Sequence, residues 1–245
     1  MSYAVIIGLG AMLGLAWTAW RAPARQAGLR VDGGLWVLFG AALGARLVFV
    51  AATWPYFQRH LSEAPQIWLG GLSWPGALGG GLFSLLMFAW FNHTPLGAFA
   101  YGLVYLALPL VVSSWLGCWQ SGCAYGWAAP QAWWAAPAVD EWGVWSPHFP
   151  LQPIAALSAV AVAAVPEWLR PHLKSQGQAA SLTLLALCAL LAGLSLLRAD
   201  PEQTWRGLRL DTWGALAFTA LSLPFCLAAF WPRTIQNPPA PHSEA

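Results

Sequence analysis

The chain has 245 residues, of which 58% are hydrophobic and only 8% are charged, and its formal net charge is +2. Soluble domains carry about 25% charged residues, so this composition excludes an ordinary soluble protein, and the small net charge indicates no nucleic-acid partner. Lipid is the solvent that suits such a surface, and we expect an all-α integral membrane protein. The 18 Trp residues fit this class, because indoles concentrate at membrane interfaces.

A membrane-spanning helix needs about 20 predominantly apolar residues, and the chain contains about seven such runs. In chain order they are Tyr3–Trp20, Gly34–Trp54, Leu72–Trp90, Leu96–Gly117, Gln152–Trp168, Ala180–Leu197 and Asp211–Trp231. We therefore expect a single transmembrane helical domain over residues 1–231. Residues 232–245 are rich in Pro and are expected to form a disordered cytoplasmic tail.

The distribution of Lys and Arg among the linkers predicts the orientation, since short basic loops stay on the cytoplasmic side. The first linker, the fifth linker and the tail are basic and share one side: Arg21, Arg25, Arg30, Arg170, Lys174 and Arg233. The sixth linker, which carries Arg198, Arg206 and Arg209, opposes this bias. We predict an outside N-terminus, an inside C-terminus and a multi-pass location in the plasma (inner) membrane.

Arg46 lies inside the second apolar run. A cation at that depth costs about 2.5–3.5 kcal/mol on insertion scales, so it usually faces the bundle interior or a wet cavity and has a partner. The candidate partners are Asp200, Asp211 and the phosphate of a lipid. Arg46 is therefore either a lipid-phosphate ligand or half of a structural ion pair, and the sequence leaves both open.

A glycine-rich segment, Gly70–Gly81, leads into the third run. Pro75 suits the first turn of a helix, where its missing N–H costs little. The glycines that follow allow a second helix or a lipid chain to approach the backbone closely. Tight helix packing is the interpretation that we favour for the glycines alone.

Cys118 and Cys123 follow the fourth run, with four residues between them. They are candidates for metal ligation, for a disulfide, or for simple packing as small residues. Metal-binding pairs usually have tighter spacing and a second pair elsewhere, which the sequence lacks. We favour packing, and we expect no metal and no cofactor.

The polar motifs fall at one level of the predicted bundle. With seven spans, the outer ends of the helices contain the region of Arg46 and the segments 70–81, 116–126, 149–153, 198–200 and 207–213. A purely structural bundle has no reason to concentrate polar residues at one level. We therefore expect a site for an amphiphile whose headgroup faces outward.

At these residues the chain resembles the prolipoprotein diacylglyceryl transferase family. The matching pieces, in order along most of the chain, are Gly44-Ala45-Arg46-Leu47, Gly70-Gly71-Leu72-Ser73, Gly117 with Gly122–Gly126, Pro150-x-Gln152 and Arg198-x-Asp200. The resemblance implies seven spans with the N-terminus outside. It also implies an enzyme that moves a diacylglyceryl group from phosphatidylglycerol to the lipobox Cys of a prolipoprotein.

The chain departs from the family pattern at positions where the family is polar. Pro75 stands where the family has a His, and Trp115 stands where the family's signature has an Arg. Cys118 and Ser121 stand where the family has Asn, and Cys123 stands where it has a Glu. The family's His-Pro-x-Gln-x-x-Glu element has Phe149 and Ala155 at its His and Glu, and an Arg of the sixth span is Leu191. Among the matched charges, Arg46, Arg198 and Asp200 survive.

Two hypotheses follow from the resemblance. In the first, the chain is a divergent transferase in which Arg46 and Arg198 bind the lipid phosphate and either His148 or no residue acts as the base. In the second, it is a non-catalytic relative, such as a structural subunit of a photosynthetic or respiratory membrane complex. Either way the expected partner is a membrane phospholipid, joined in the second case by other membrane subunits, and we expect little or no transferase activity.

The candidate site residues divide into two groups. The lipid- or phosphate-binding candidates are Arg46, Ser73, Trp74, Gln152 and Arg198. The structural candidates are Gly71, Gly76, Gly117, Gly122, Gly126, Asp200 and Asp211.

Overall fold

The computed structural model describes residues 3–140 and 142–231, so the predicted tail at residues 232–245 lies outside the described residues. The α-helices are α1 (Tyr3–Arg21), α2 (Ala27–Ala52), α3 (Trp54–Phe57), α4 (Trp74–Phe91), α5 (Leu96–Ser121), α6 (Leu151–Leu169), α7 (Gln176–Ser195) and α8 (Leu210–Phe230). Within the described ranges, seven of them, all except α3, are long and apolar enough to cross a membrane. The predicted all-α membrane class is confirmed.

Two small antiparallel hairpins lie in the linkers. Strands β1 (Ala136–Val139) and β2 (Trp145–His148) pair in the linker between α5 and α6. Strands β3 (Thr204–Trp205) and β4 (Leu208–Arg209) pair between α7 and α8. Both hairpins lie in segments where the sequence predicted only linkers.

Helix α2 begins at Ala27, seven residues before the predicted start at Gly34. The extra turns contain Arg30, whose charge hid them from a search for apolar runs. The Arg30 side chain is buried against α5, where its Nη1 would lie 2.6 Å from a Cβ added to Gly102. The missing side chain of Gly102 therefore makes room for a guanidinium in the helix bundle.

Helix α5 occupies the centre of the bundle and packs against α1, α6 and α7, while α7 also packs against α8. Large apolar side chains of the other helices point outward: Phe39, Leu157 and Phe225 are 63%, 71% and 70% exposed. In a soluble protein such exposure would be unfavourable, whereas in a bilayer these side chains contact lipid. The molecule is thus a membrane bundle with a small interior.

A glycine seam joins α2 to α4. Gly40 and Gly44 of α2 face Gly80 and Gly76 of α4, so that each helix contributes two glycines four residues apart. A Cβ added to Gly44 would lie 2.9 Å from the Gly80 Cα, a distance that atoms do not adopt. The backbones therefore touch directly, as small-residue pairs allow in membranes.

Successive spans run in opposite directions, so the starts of α1, α4, α6 and α8 share one face with the ends of α2, α5 and α7. Contacts between these ends support this arrangement, including the packing of Tyr3 against Gly117 and the hydrogen bond from Gln152 to Cys123. We call this the N-terminal face. Which side of the membrane it occupies stays a prediction.

Candidate functional site

Arg46 is buried at the N-terminal face, and its guanidinium binds backbone carbonyls. Nε donates to the Ala64 carbonyl at 2.7 Å, and Nη2 donates to the Glu63 carbonyl at 2.6 Å. Nη1 donates to the carbonyls of Gly70 and Gly71 at 2.6 and 3.2 Å. The expected protein partners, Asp200 and Asp211, are therefore not the ones that this side chain contacts. Arg46 instead fastens the linker between α3 and α4 to α2.

The first turn of α4 follows this linker directly. The Ser73 N–H donates to the Ala45 carbonyl at 3.1 Å and fixes the start of α4 against α2. Trp74 is half-buried beside it, and Pro75 lies in the first turn of the helix as predicted. Pro75 packs on α8, where a Cβ added to Gly214 would lie 2.6 Å from the Pro75 Cγ.

The turn after α5 is closed by a disulfide between Cys118 and Cys123. The favoured interpretation of these residues as simple packing residues is therefore wrong. Gly122 ends α5 with a left-handed backbone, φ +72°, and the resulting turn brings the Cα atoms of the two cysteines to 4.6 Å. The spacing in the sequence did not reveal a turn this tight.

Gln152 and His148 secure the segment that leads into α6. The buried Gln152 donates from Nε2 to the Cys123 carbonyl at 3.1 Å. His148 is buried at the end of β2, with Nδ1 2.9 Å from the Ser146 carbonyl oxygen. Its ring also packs on Tyr125, with 5.1 Å between the ring centroids. The candidate base is therefore enclosed by its own strand and by Tyr125.

The linker between α7 and α8 contains a network of arginines and carboxylates. Arg198 donates from Nε and Nη2 to the two carboxylate oxygens of Asp200, at 3.0 and 2.7 Å, and from Nη1 to Asp211. Arg209 donates to Glu202 at 2.6 Å and to the Asp200 carbonyl. Two cations thus face three carboxylates, and Asp200 and Asp211 pair with Arg198 rather than with Arg46.

Ionisation within this network is uneven. Burial raises the pKa of Glu202 to about 7, and the neighbouring Asp211 contributes to the same shift. Burial also opposes the ionisation of Asp200, but hydrogen bonds from Arg198 and the charge of Arg209 outweigh it and lower the Asp200 pKa. Glu202 is therefore the group of the network that changes charge near neutral pH.

Backbone contacts join three of the predicted motifs into one assembly. The Ala199 N–H donates to the Tyr125 carbonyl at 2.9 Å, and Gly126 forms a β-bridge with Arg198. The Phe149 N–H donates to the Trp127 carbonyl, also at 2.9 Å. Arg46 and its linker stand apart: within residues 3–140 and 142–231, no hydrogen bond or ion pair connects them to the Arg198 network.

The glycines predicted as structural lie against close neighbours. Gly71 faces the Phe49 ring, Gly76 belongs to the glycine seam, Gly117 faces the Tyr3 ring, Gly122 faces the Asp140 carbonyl, and Gly126 faces Phe149.

A model of the prolipoprotein diacylglyceryl transferase family matches residues 1–231, which is nearly the whole chain. The chain belongs to the prolipoprotein diacylglyceryl transferase family. With its seven apolar helices, this membership makes it a multi-pass inner-membrane protein.

Individual relatives match over shorter stretches. Proteins named phosphatidylglycerol–prolipoprotein diacylglyceryl transferase from Staphylococcus epidermidis and Geobacillus kaustophilus are 41% identical to this family member over 86 and 91 residues. The protein of that name from Thermosynechococcus vestitus is 33% identical over 92 residues. These alignments cover 34–36% of this chain and 30–34% of each relative, so the chain spans about a third of the length of the curated relatives that it matches.

An apolar cluster fills the space between α5, α6 and α7 in this member of the transferase family. Its buried residues are Trp115, Ala124, Leu151, Ala155, Ala156 and Leu194, and Val111, Val112, Cys118, Phe149, Leu190 and Leu191 pack against them. Five of these residues stand at positions that the resemblance matches to polar family residues: Trp115, Cys118, Phe149, Ala155 and Leu191. Five of the eight departures that the resemblance implies are thus neighbours in space.

The sequence reasoning missed a polar cluster on the opposite face of the bundle. Glu167 accepts hydrogen bonds from the hydroxyls of Tyr101 and Tyr105, and its Oε2 lies 3.4 Å from Arg21 Nη2. The cluster ties the ends of α1 and α6 to the beginning of α5. Its signal in the sequence was a carboxylate inside the fifth apolar run, together with two tyrosines four residues apart on α5.

Proposed function

We propose that this chain is a non-catalytic member of its family, which holds a phospholipid at the N-terminal face and does not transfer its diacylglyceryl group. The observation that carries the proposal is the apolar cluster. Charged residues lost singly from a polar site would leave unsatisfied neighbours and cavities. Here the replacements pack against one another, as they would in a chain that no longer needs a polar site at this position.

The chemistry of the family explains why these replacements matter. Transfer to a thiol needs a base or a cationic field to form the thiolate, and the departing phosphate needs stabilising charge. Losing a general base costs about 10²–10⁴ in rate, and losing one oxyanion-type donor costs about 10²–10³. Pro75, Trp115 and Leu191 can supply neither function, and the Cys123 thiol is held in a disulfide.

The surviving arginines are largely committed to protein partners. Arg46 has five N–H donors, and four hydrogen bonds to carbonyls leave one donor for a phosphate. Arg198 is paired with Asp200 and Asp211, which would repel a second anion. The free donor of Arg46 supports retention of a lipid headgroup by few contacts, and neither arginine is free to stabilise a leaving phosphate.

The lipid belongs to the outer leaflet if the predicted orientation holds. The disulfide supports that orientation, because disulfides persist on the oxidising, exported side of a membrane. The proposed site then faces outward, where the sequence analysis expected the headgroup.

The transfer half of the proposal is tested in cells depleted of their own transferase. We expect that this chain, shown by immunoblot to accumulate in the membrane, restores neither growth nor lipidation of a prolipoprotein. An active family enzyme expressed from the same vector is the positive control. Restored lipidation would refute the proposal and would return attention to His148 as the base.

The lipid half is tested by native mass spectrometry of protein purified in mild detergent. We expect a bound phospholipid on the intact chain and a weaker lipid signal after Arg46→Ala. A lipid-free wild-type protein would refute this half. Stoichiometric copurification of another membrane protein in place of lipid would instead favour the alternative role, a subunit of a larger complex.

A further inference from the structure

The β1–β2 hairpin presents large exposed indoles at the N-terminal face. Trp142, in the turn before β2, is 81% exposed, and Trp145, the first residue of β2, is 62% exposed. Residues 122–150, which contain the hairpin, include no Lys or Arg. Single exposed apolar residues are ordinary, but two large exposed indoles on one hairpin indicate an interaction surface.

The hairpin folds back onto the last turn of α5, which sets its depth. The Trp119 Nε1 of that turn donates to the Pro137 carbonyl on β1 at 3.1 Å. At the hairpin tip, the Asp140 carbonyl lies against Gly122, the residue that follows α5. The tip therefore stays level with the helix end and does not project away from the bundle.

Helix α5 ends in the headgroup region of the bilayer. Its 26 residues extend about 39 Å at about 1.5 Å per residue, longer than the hydrocarbon thickness of about 30 Å. Shared between the two ends, the excess of about 9 Å leaves about three residues of α5 beyond the hydrocarbon at each end, which is the level of its last turn and of the hairpin packed on it. This is the depth at which Trp is enriched, because the ring is apolar and its N–H needs a polar partner.

The two indoles are held in place and keep their donors available. The Asp140 carboxylate accepts hydrogen bonds from the backbone N–H groups of Trp142 and Val144, at 2.9 and 2.8 Å, and so fixes the turn. Trp145 pairs with Val139 in the strand register. Trp119 donates its indole N–H to a protein carbonyl, whereas those of Trp142 and Trp145 meet no acceptor among residues 3–140 and 142–231.

We propose that the β1–β2 hairpin is a membrane-interface anchor, with Trp142 and Trp145 inserted among the lipid headgroups of the leaflet at the N-terminal face. Lipid is the occupant because the hairpin packs on the last turn of a membrane-spanning helix and exposes apolar indoles there. With no cation in residues 122–150, binding depends on the indoles and not on attraction to anionic lipid. The anchor holds the segment that carries His148 close to the membrane surface.

The test places a fluorescent label at each indole position in turn. Cys188 and Cys226 are buried and Cys118 is bonded to Cys123, so a cysteine introduced by Trp142→Cys or Trp145→Cys is the reactive thiol for labelling. The labelled full-length protein is reconstituted in phosphatidylcholine vesicles. Nitroxide quenchers are attached either to the lipid headgroup or near the end of the acyl chain, and iodide in the water serves as a third quencher in separate measurements. Phe39→Cys, at an exposed position in the middle of α2, is the matched control for depth.

We expect labels at both indole positions to lose fluorescence to the headgroup nitroxide and to resist iodide. The Phe39→Cys label should lose fluorescence to the chain-end nitroxide instead. Loss to iodide alone would show that the hairpin faces water, and protection from every quencher would show that protein covers it; either result overturns the proposal. Insertion that requires phosphatidylglycerol or disappears in high salt would also contradict it, because the hairpin has no cation to respond.

Discussion

Replacing Arg46 with Ala should loosen the linker between α3 and α4 and lower the stability of the whole bundle. The substitution removes four hydrogen bonds to carbonyls, and a bond from a charged donor contributes about 1.5–3 kcal/mol. The contributions do not add, because the linker lies near the surface and water can reach part of the freed carbonyls. We expect a net loss of about 3 kcal/mol.

The geometry also predicts the behaviour of Arg46→Lys. A lysine has three donors on one nitrogen and cannot reach carbonyls that surround a planar guanidinium, so it should recover only part of the loss. Thermal unfolding in detergent measures the effect, and a loss of about 3 kcal/mol corresponds to about 6–12 °C in a chain of this size. Trypsin cleavage at the exposed Arg59 reports on the linker itself and should become faster in Arg46→Ala.

Arg25→Ala is the matched control, because Arg25 is exposed and makes no hydrogen bond or ion pair within the described residues. It should leave the melting temperature and the rate of cleavage at Arg59 unchanged. If Arg46→Ala behaves like this control in both assays, Arg46 does not fasten the linker, and the account of its burial given above is wrong.

Three further outcomes are expected. Trp115→Ala should cost about 3–5 kcal/mol of unfolding free energy, because Trp115 fills the apolar cluster, whereas Trp168→Ala, at a position that is 79% exposed, should cost no more than about 0.5 kcal/mol. Equal losses would contradict the packing argument. The raised pKa of Glu202 means that the folded state binds a proton more tightly than the unfolded state. The contribution of Glu202 to the free energy of unfolding is therefore fully present below about pH 4.3, and it is lost as the pH rises through about 7. Glu202→Gln should therefore raise the melting temperature relative to wild type above neutral pH but not in acid, and a pH-independent difference would refute the assignment. Finally, an impermeant thiol reagent should label Cys118 and Cys123 in intact cells after mild reduction; labelling only after lysis would reverse the orientation.

The helices could be predicted from the sequence because lipid imposes a simple requirement, a long apolar run, on every span. Where a charge interrupts the pattern, as Arg30 does in α2, the prediction began the helix too late. Charge also identified Arg46 as a buried group that needs partners. Its partners were missed because they are backbone carbonyls, which every residue has and which therefore leave no mark in a sequence.

The candidate site was predicted less completely, for a related reason. The two cysteines were visible, but their bond depends on the left-handed turn at Gly122, and conformation at a single glycine is not encoded in spacing. The apolar cluster was equally hidden. Trp115, Ala155 and Leu191 read separately as losses from a family pattern, and only their contact in space shows that they form one packed interior.

The glycine seam between α2 and α4 has a mechanical consequence for the N-terminal face. Helices whose backbones touch at Gly44 and Gly80 cannot slide past each other without a clash, and Arg46 fastens the connecting linker to the same pair. Helices α2 and α4 therefore behave as one rigid unit. The pair meets α8 where Pro75 packs on Gly214, so α8 contacts a rigid two-helix unit and not a single helix at this face.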